Sequence, residues 1–231
     1  MRGLFVTGTD TDVGKSVVAA SICAALAARG DRVAAFKPVV TGLDEEPDEF
    51  GRDHELLASA ANAGQSASDV TPHVFGPAVS PHLAAELAGV TLEPGELVAA
   101  ARGQARAAGE EGASGENLLV CEGVGGLMVP ITPGYLVRDL AVDLALPVVV
   151  AARPALGTIN HTLLTIEAAR AGGLAVAGVV MTPWPNQPTP MERSNRDTIA
   201  RLGDVSVTGL PRTTPDRLAE GGAVLPMYEW L

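Results

Sequence analysis

Residues 3–16 read GLFVTGTDTDVGKS. A short apolar run ends in a glycine, five residues intervene, and Gly14-Lys15-Ser16 opens an Ala-rich stretch that predicts a helix over 14–29. Strand, glycine-bearing loop, lysine, hydroxyl residue, then helix is the order that makes a phosphate-binding loop. Backbone N–H groups of such a loop and of the helix start point inward and hold phosphate oxygens. Gly14 can adopt the backbone angles the loop needs. Lys15 would reach the β- and γ-phosphates, and Ser16 would present its hydroxyl to Mg²⁺. The common pattern has four residues between its glycines; a strict match needs glycine where Thr9 stands. The alternative is a glycine-rich turn closed by an ordinary helix cap.

Outward from this loop, apolar runs of strand length alternate with helix-length segments. Strands are expected at 3–7, 32–37, 117–122, 147–152, 175–181 and 205–209. Helices are expected at 14–29, 53–62, within "LAAELAG", within "GELVAAARGQARAAG" to about residue 109, more weakly at 136–145, at 158–171 and at 191–202. "EEGASGE" is expected as a surface loop. "PWPNQPTP" (183–190), with four prolines in eight residues, is expected to be irregular because proline fixes φ and removes donors. Near-uniformly apolar strands separated by helices describe a mostly parallel sheet covered on both faces. The fold class expected is α/β, a P-loop NTPase-like single domain over 1–231.

Of the 231 residues, 47% are apolar and only 3% aromatic, so Ala, Val and Leu supply the core. The formal net charge of −11 argues against nucleic acid or an anionic membrane as the main partner, since both need a basic face. Cys23 and Cys121 both sit in apolar runs and are expected as buried, reduced thiols. The first residues lack a signal-peptide pattern and no run reaches the roughly 18 apolar residues of a span. A cytoplasmic location is expected.

Ligands of parallel sheets bind at the carboxyl ends of the strands, so the residues just after each strand are the informative ones. Only Lys15 and Lys37 are lysines, against fourteen arginines, and both follow predicted strands. A compact ammonium enters packed sites that a planar guanidinium cannot. Thr41, four residues beyond Lys37, offers a hydroxyl. "EGVGGLMVP" puts Glu122 at the end of a buried run, before three glycines that let backbone approach a ligand. A carboxylate there suits Mg²⁺, with Ser16 and either Asp53 or Glu55 of "GRDHELL" as the other protein ligands. Asp53 is the first choice and Glu55 the second; His54 is expected to be exposed. "SPHLAAEL" and "LGTINHTLLT" each open a helix at which backbone N–H groups could meet an anion, or which could be plain caps.

"GTDTDVGKS", "KPVVTG", "SPHLAA", "EGVGGLMVP", "LGTINHTLLT" and "GLP" occur in that order, and together they resemble the dethiobiotin synthetase family from residue 3 to about 211. The resemblance implies a single P-loop α/β domain working as a homodimer. It implies 7,8-diaminopelargonate, CO₂ and a nucleoside triphosphate, usually ATP, as substrates, with Mg²⁺ as the metal. An amine carbamate is phosphorylated and the second amine closes a cyclic urea. It implies catalytic roles for Lys37, Lys15 and Thr11. Nucleotide contacts fall to Asp12, Val13, Gly14, Lys15, Ser16, Val17, Glu122, Gly125, Gly126, Thr182, Pro183, Gly209, Leu210 and Pro211. Substrate contacts fall to Thr41, Ser80, Pro81, Gly157, Thr158, Ile159 and Asn160, the last group across the dimer interface. Metal contacts fall to Ser16, Asp53 and Glu122.

The chain departs from the family's usual pattern at three places. Ser16 replaces a more frequent Thr and keeps the hydroxyl. Val124 stands where Ala is usual. Thr182-Pro183 stands where an amide and an acid commonly read adenine, and a hydroxyl cannot make that two-point pair. Base selectivity is therefore expected to be relaxed, with CTP or other triphosphates competing with ATP; Trp184 is a possible stacking surface. Three rival readings fit less well. An amidating ligase needs a glutamine-hydrolysing domain. A partitioning ATPase tends to carry a second, early P-loop lysine. A translation-type GTPase needs an Asn-Lys-x-Asp base reader, for which no lysine remains.

Overall fold

The computed structural model describes residues 1–108 and 117–231; the expected surface loop "EEGASGE" lies outside them. The central sheet has six parallel strands: β1 (Arg2–Gly8), β2 (Arg32–Phe36), β3 (Asn117–Gly126), β4 (Val148–Ala152), β5 (Val176–Trp184) and β6 (Val207–Pro211). Their order is β6-β5-β4-β1-β3-β2. The chain thus leaves β1 for one edge, fills the gap with β3, and then builds outward on the other side. Such reversals open a crevice at the carboxyl ends of the strands.

The strands are buried nearly throughout, as their Val-, Ala- and Leu-rich sequences require of a sheet covered on both faces. Period-two alternation sorts them into two cores. Leu4, Val6, Val33, Ala35, Leu118 and Val120 pack with α1 (Lys15–Ala28). Phe5, Ala34, Phe36, Leu119 and Cys121 face the other way. They pack with α4 (Pro94–Ala107) and α5 (Val137–Leu144), on the side that also takes α6 (Thr158–Ala171) and α7 (Pro190–Gly203). Between β2 and β3 the chain also forms α2 (Asp53–Ala60) and α3 (Pro81–Ala88). Near the C-terminus α8 (Leu218–Gly222) lies against α1 so closely that a Cβ on Gly222 would sit 2.1 Å from the Ser21 carbonyl oxygen. Cys23 and Cys121 are buried free thiols, as expected. No helix among the described residues is long and apolar enough to cross a membrane.

Two sequence expectations need correction. The proline-rich stretch is not irregular throughout: Pro183 and Trp184 finish β5, and Pro190 begins α7. Proline suits the first helical position, where its missing N–H costs no bond. A capping box fixes that start: the Glu192 N–H donates to Thr189 Oγ1 and the Thr189 N–H to Glu192 Oε2. The last strand runs two residues later than the expected 205–209.

Candidate active site

The loop after β1 wraps around Gly8 rather than around a glycine at position 9. A Cβ on Gly8 would lie 2.7 Å from Val13 Cγ2 and 2.9 Å from both Lys15 Cδ and the Asp10 carbonyl oxygen. The five-residue spacing therefore keeps a glycine where the loop closes most tightly. Gly14 caps α1 at φ 87°, a left-handed angle that glycine adopts without a Cβ penalty. Asp12 also takes positive φ, at 54°. Lys15 is buried and its Nζ donates to the Asp10 carbonyl oxygen at 2.8 Å. Thr11 and Asp12 are exposed on the loop, Val13 is buried, and Ser16 and Val17 are half-buried.

Sheet register supplies the opposite wall. Phe36 pairs with Cys121, and Val6 with Glu122. The next residue after Phe36, Lys37, thus reaches the same rim as Glu122, and alternation turns both toward the α1 face. Lys37 Nζ donates to Glu122 Oε1 at 2.6 Å and lies 2.8 Å from Asp53 Oδ2. The Ser16 hydroxyl lies 2.7 Å from Asp53 Oδ1 and 2.9 Å from Glu122 Oε1. Asp53 arrives on the first turn of α2. Arg52 pins the segment before it by donating to the carbonyl oxygens of Gly42, Leu43 and Glu45. Glu55 is exposed and stands outside this cluster. His54, expected to be exposed, is half-buried, and its Nδ1 is buried without a hydrogen-bond partner.

Burial and neighbouring charge set the protonation of these groups. Burial opposes charge on Lys37, but the carboxylates of Asp53 and Glu122 outweigh it and hold its pKa above the ordinary lysine value. Burial likewise pushes Asp53 up, yet Lys37 and the Ser16 hydroxyl more than offset it, to about 2. Glu122 is fully buried, and desolvation raises its pKa despite Lys37. Burial, then the Lys37 charge, lower that of Lys15. The two ammonium groups thus feel each other at one rim.

The donor set fits Mg²⁺. Three oxygens, from Ser16, Asp53 and Glu122, converge although one hydroxyl proton cannot serve both carboxylates, and Glu122 Oε2 is buried with no partner. A small hard cation answers that excess of acceptors. Among the described residues no group of three or more His, Cys, Asp or Glu could hold a metal. Two carboxylates and a hydroxyl leave the remaining positions to phosphate oxygens and water, as Mg²⁺ prefers.

Two cavities of about 170 Å³ each flank the loop. One lies between Thr9, Asp10 and Val13 and the start of α6, where Thr158 and His161 line it. The other lies between Gly14, Val17, Thr182 and Pro183. Arg153 walls both and donates to the Thr11 carbonyl oxygen at 3.1 Å. It is the first residue after β4, and that place at a strand end is the signal in the sequence that marks it.

The other expected residues are distributed as follows. Gly126 neighbours Gly8 in the sheet and Gly125 takes φ 62°. Thr41 is half-buried beyond Lys37. Ser80 caps α3 without a capping bond from its side chain, which instead contacts His82 Nδ1, and Pro81 is buried. Gly157 caps α6, Ile159 is half-buried and Asn160 exposed, and neither of the latter two lines either of these two cavities. Gly209, Leu210 and Pro211 do not line the cavity beside Thr182; Arg212 and Thr213 do. The Trp184 ring lies against Gly209, with the Arg196 guanidinium 5.6 Å from its centre, so it packs rather than lines that cavity.

A family model described as an AAA domain matches residues 2–213. The ATP-dependent dethiobiotin synthetase BioD of Bacillus subtilis (strain 168) is 36% identical over 211 residues, covering 91% of this chain and 87% of that protein. The protein of the same name from Anaeromyxobacter dehalogenans (strain 2CP-1) is 41% identical over 203 residues, covering 87% of this chain and 86% of its own. Among solved structures, a ParA family ATPase from Chlorobium tepidum TLS superposes with a TM-score of 0.51 at 11% identity, covering 96% of this chain and 90% of that one. That likeness shows the fold alone, an α/β domain around a parallel sheet.

Proposed function

Because the chain belongs to the dethiobiotin synthetase family, we propose that it makes dethiobiotin from 7,8-diaminopelargonate, CO₂ and a nucleoside triphosphate, usually ATP, in the manner of that family. It is an ATP-dependent ligase of biotin synthesis. The carrying observation is the meeting of Lys37, Glu122, Asp53 and Ser16 beside the Lys15 loop.

One substrate amine takes up CO₂ as a carbamate. A carbamate oxygen attacks the γ-phosphorus, the bond to the β-phosphate bridge breaks, and a carbamic-phosphoric anhydride results. The second amine attacks its carbonyl carbon, phosphate leaves, and the ring closes. Phosphoryl transfer asks the protein for alignment and charge neutralisation rather than covalent help. Lys37 Nζ has three N–H donors and spends two on carboxylates, leaving one for the carbamate. Lys15 exchanges the Asp10 carbonyl for phosphate oxygens, an electrostatically better acceptor. Thr41 and Thr11 offer further hydrogen bonds to the substrate. Ser16, Asp53 and Glu122 would hold Mg²⁺, which when bound neutralises charge on the phosphates.

The start of α6 is assigned to the substrate carboxylate of a partner protomer in a homodimer. Leu156, two residues before this helix and 90% exposed, and Leu164 on it, 60% exposed, support an interface there. Thr182 in place of an amide supports relaxed base selectivity. The test of the function is purified protein with diaminopelargonate, bicarbonate, Mg²⁺ and each triphosphate, followed by mass spectrometry for the cyclic urea. Release of phosphate without the urea would end the reading. A preference for ATP over CTP and GTP above about a hundredfold, the scale of a well-read polar edge, would end relaxed selectivity.

A further inference from the structure

The cavity beside Thr182 is lined in part by an ion pair that the phosphate chemistry does not use. Arg212 Nη1 lies 3.4 Å from Glu49 Oε1, although the two residues are 163 positions apart. Their side chains are 74% and 66% exposed. A pair so open to water contributes little to stability and opens readily. Both residues nevertheless line the cavity, with Val17, Phe50 and Pro183 as its apolar walls. Thr182 is buried there with a single hydroxyl, its methyl turned against Gly14.

We propose that Glu49 and Arg212 together read the nucleotide base, replacing the two-point contact that Thr182 cannot make. The reading rests on the nucleotide assignment of the preceding section. A planar heterocycle between Phe50 and Pro183 presents its polar edge to the pair. The guanidinium offers only donors, and so takes a ring nitrogen or a carbonyl oxygen; the carboxylate offers only acceptors, and so takes an exocyclic amine. Adenine and cytosine present an amine beside an acceptor and satisfy both. In the pose of cytosine, uracil reverses both partners: a carbonyl oxygen faces Glu49 and the ring N–H faces the guanidinium. Glu49 lies four residues before Asp53, on the segment that Arg52 holds, so the base and the phosphate ends of the nucleotide meet one stretch of chain.

Isothermal titration of the full chain with ATP, CTP, UTP and inorganic tripolyphosphate, in Mg²⁺, tests this. Wild type should bind ATP and CTP at least about tenfold more tightly than UTP, a difference expected of one polar contact. Glu49→Ala should bring the three within about threefold, while tripolyphosphate changes less than about twofold. Arg212→Lys, which keeps the charge and loses the fork, should weaken ATP and CTP and leave tripolyphosphate alone. An unchanged ranking of bases in both variants would overturn the proposal. So would equal losses for nucleotides and tripolyphosphate, because those report on charge rather than base. If tripolyphosphate itself fails to bind wild type, the phosphate-loop assignment fails and this reading with it; binding of tripolyphosphate with UTP equal to ATP rejects the base contact alone.

Discussion

Lys37 Nζ lies 2.6 Å from Glu122 Oε1, although 85 residues separate them in the chain. Both groups are buried: Glu122 is 0% exposed and Lys37 3%. The contact follows from the pairing of Phe36 with Cys121 one step earlier in each strand. A slip of one residue in that register would turn one of the two side chains to the opposite face.

Lys37→Gln should abolish ring closure and leave nucleotide affinity within a few-fold of wild type. The same change strips a buried carboxylate of its cation. Breaking one side of a buried pair costs up to about 3–5 kcal/mol, less if Glu122 takes a proton. The melting midpoint should therefore fall in metal-free buffer and recover in part with Mg²⁺, read by calorimetry. Lost nucleotide affinity with intact turnover would reverse the assignment.

Lys15→Ala should weaken triphosphate binding and slow turnover together, because this lysine faces phosphate in the ground and transition states alike. Charge-assisted contacts of this kind correspond to about ten- to a hundredfold in affinity. Titration with ATP and a kcat/KM comparison check it. A variant that binds ATP normally would place the phosphates elsewhere.

Acid stability should carry a signature of Asp53. Its folded pKa is lowered from 3.8 to about 2, so the stabilisation it brings is complete above the unfolded value and is lost as pH falls through about 2. The stability gap between wild type and Asp53→Asn should be constant from pH 5 to 8 and shrink between about pH 4 and 2. Lys37 has the opposite sign: its raised pKa gives stabilisation that is present below the ordinary lysine value and is lost as pH rises through the folded one. Urea melts across pH measure both; a gap that widens on acidification contradicts the pairing.

Two glycine substitutions should move stability in opposite directions. A Cβ on Gly222 meets the Ser21 backbone, which cannot yield without moving α8 from α1. Overpacking of this sort costs about 1–3 kcal/mol, or roughly 2–10 °C in a chain of this size. Gly103 lies in α4 with open space around its Cβ position, and alanine there should stabilise by about 0.5–1 kcal/mol. Thermal melts of Gly222→Ala and Gly103→Ala give the comparison.

The local features were legible from residues close together in the chain. The strand–loop–helix at 3–29, the alternation of apolar runs with helices, and the buried ends at Lys37 and Glu122 each depend on a window of a few to about fifteen residues. Periodicity and turn chemistry act over that range. The proline stretch departs from the local rule because pairing of Trp184 with Pro211 carries β5 into it and a capping box recruits Pro190 to α7.

Everything that joins distant residues waited on the sheet order and register. Asp53 and Glu55 are equivalent as letters; two positions apart on a helix they point about 200° apart, and only the docking of α2 turned Asp53 to Ser16 and Lys37. The pairing of Glu49 with Arg212, and the place of Arg153 between two cavities, arise in the same way. The sequence by itself determined which groups stand at strand ends. The tertiary structure decided which of them share one rim, because their separation is set by the summed packing of six strands and their helices rather than by any local rule.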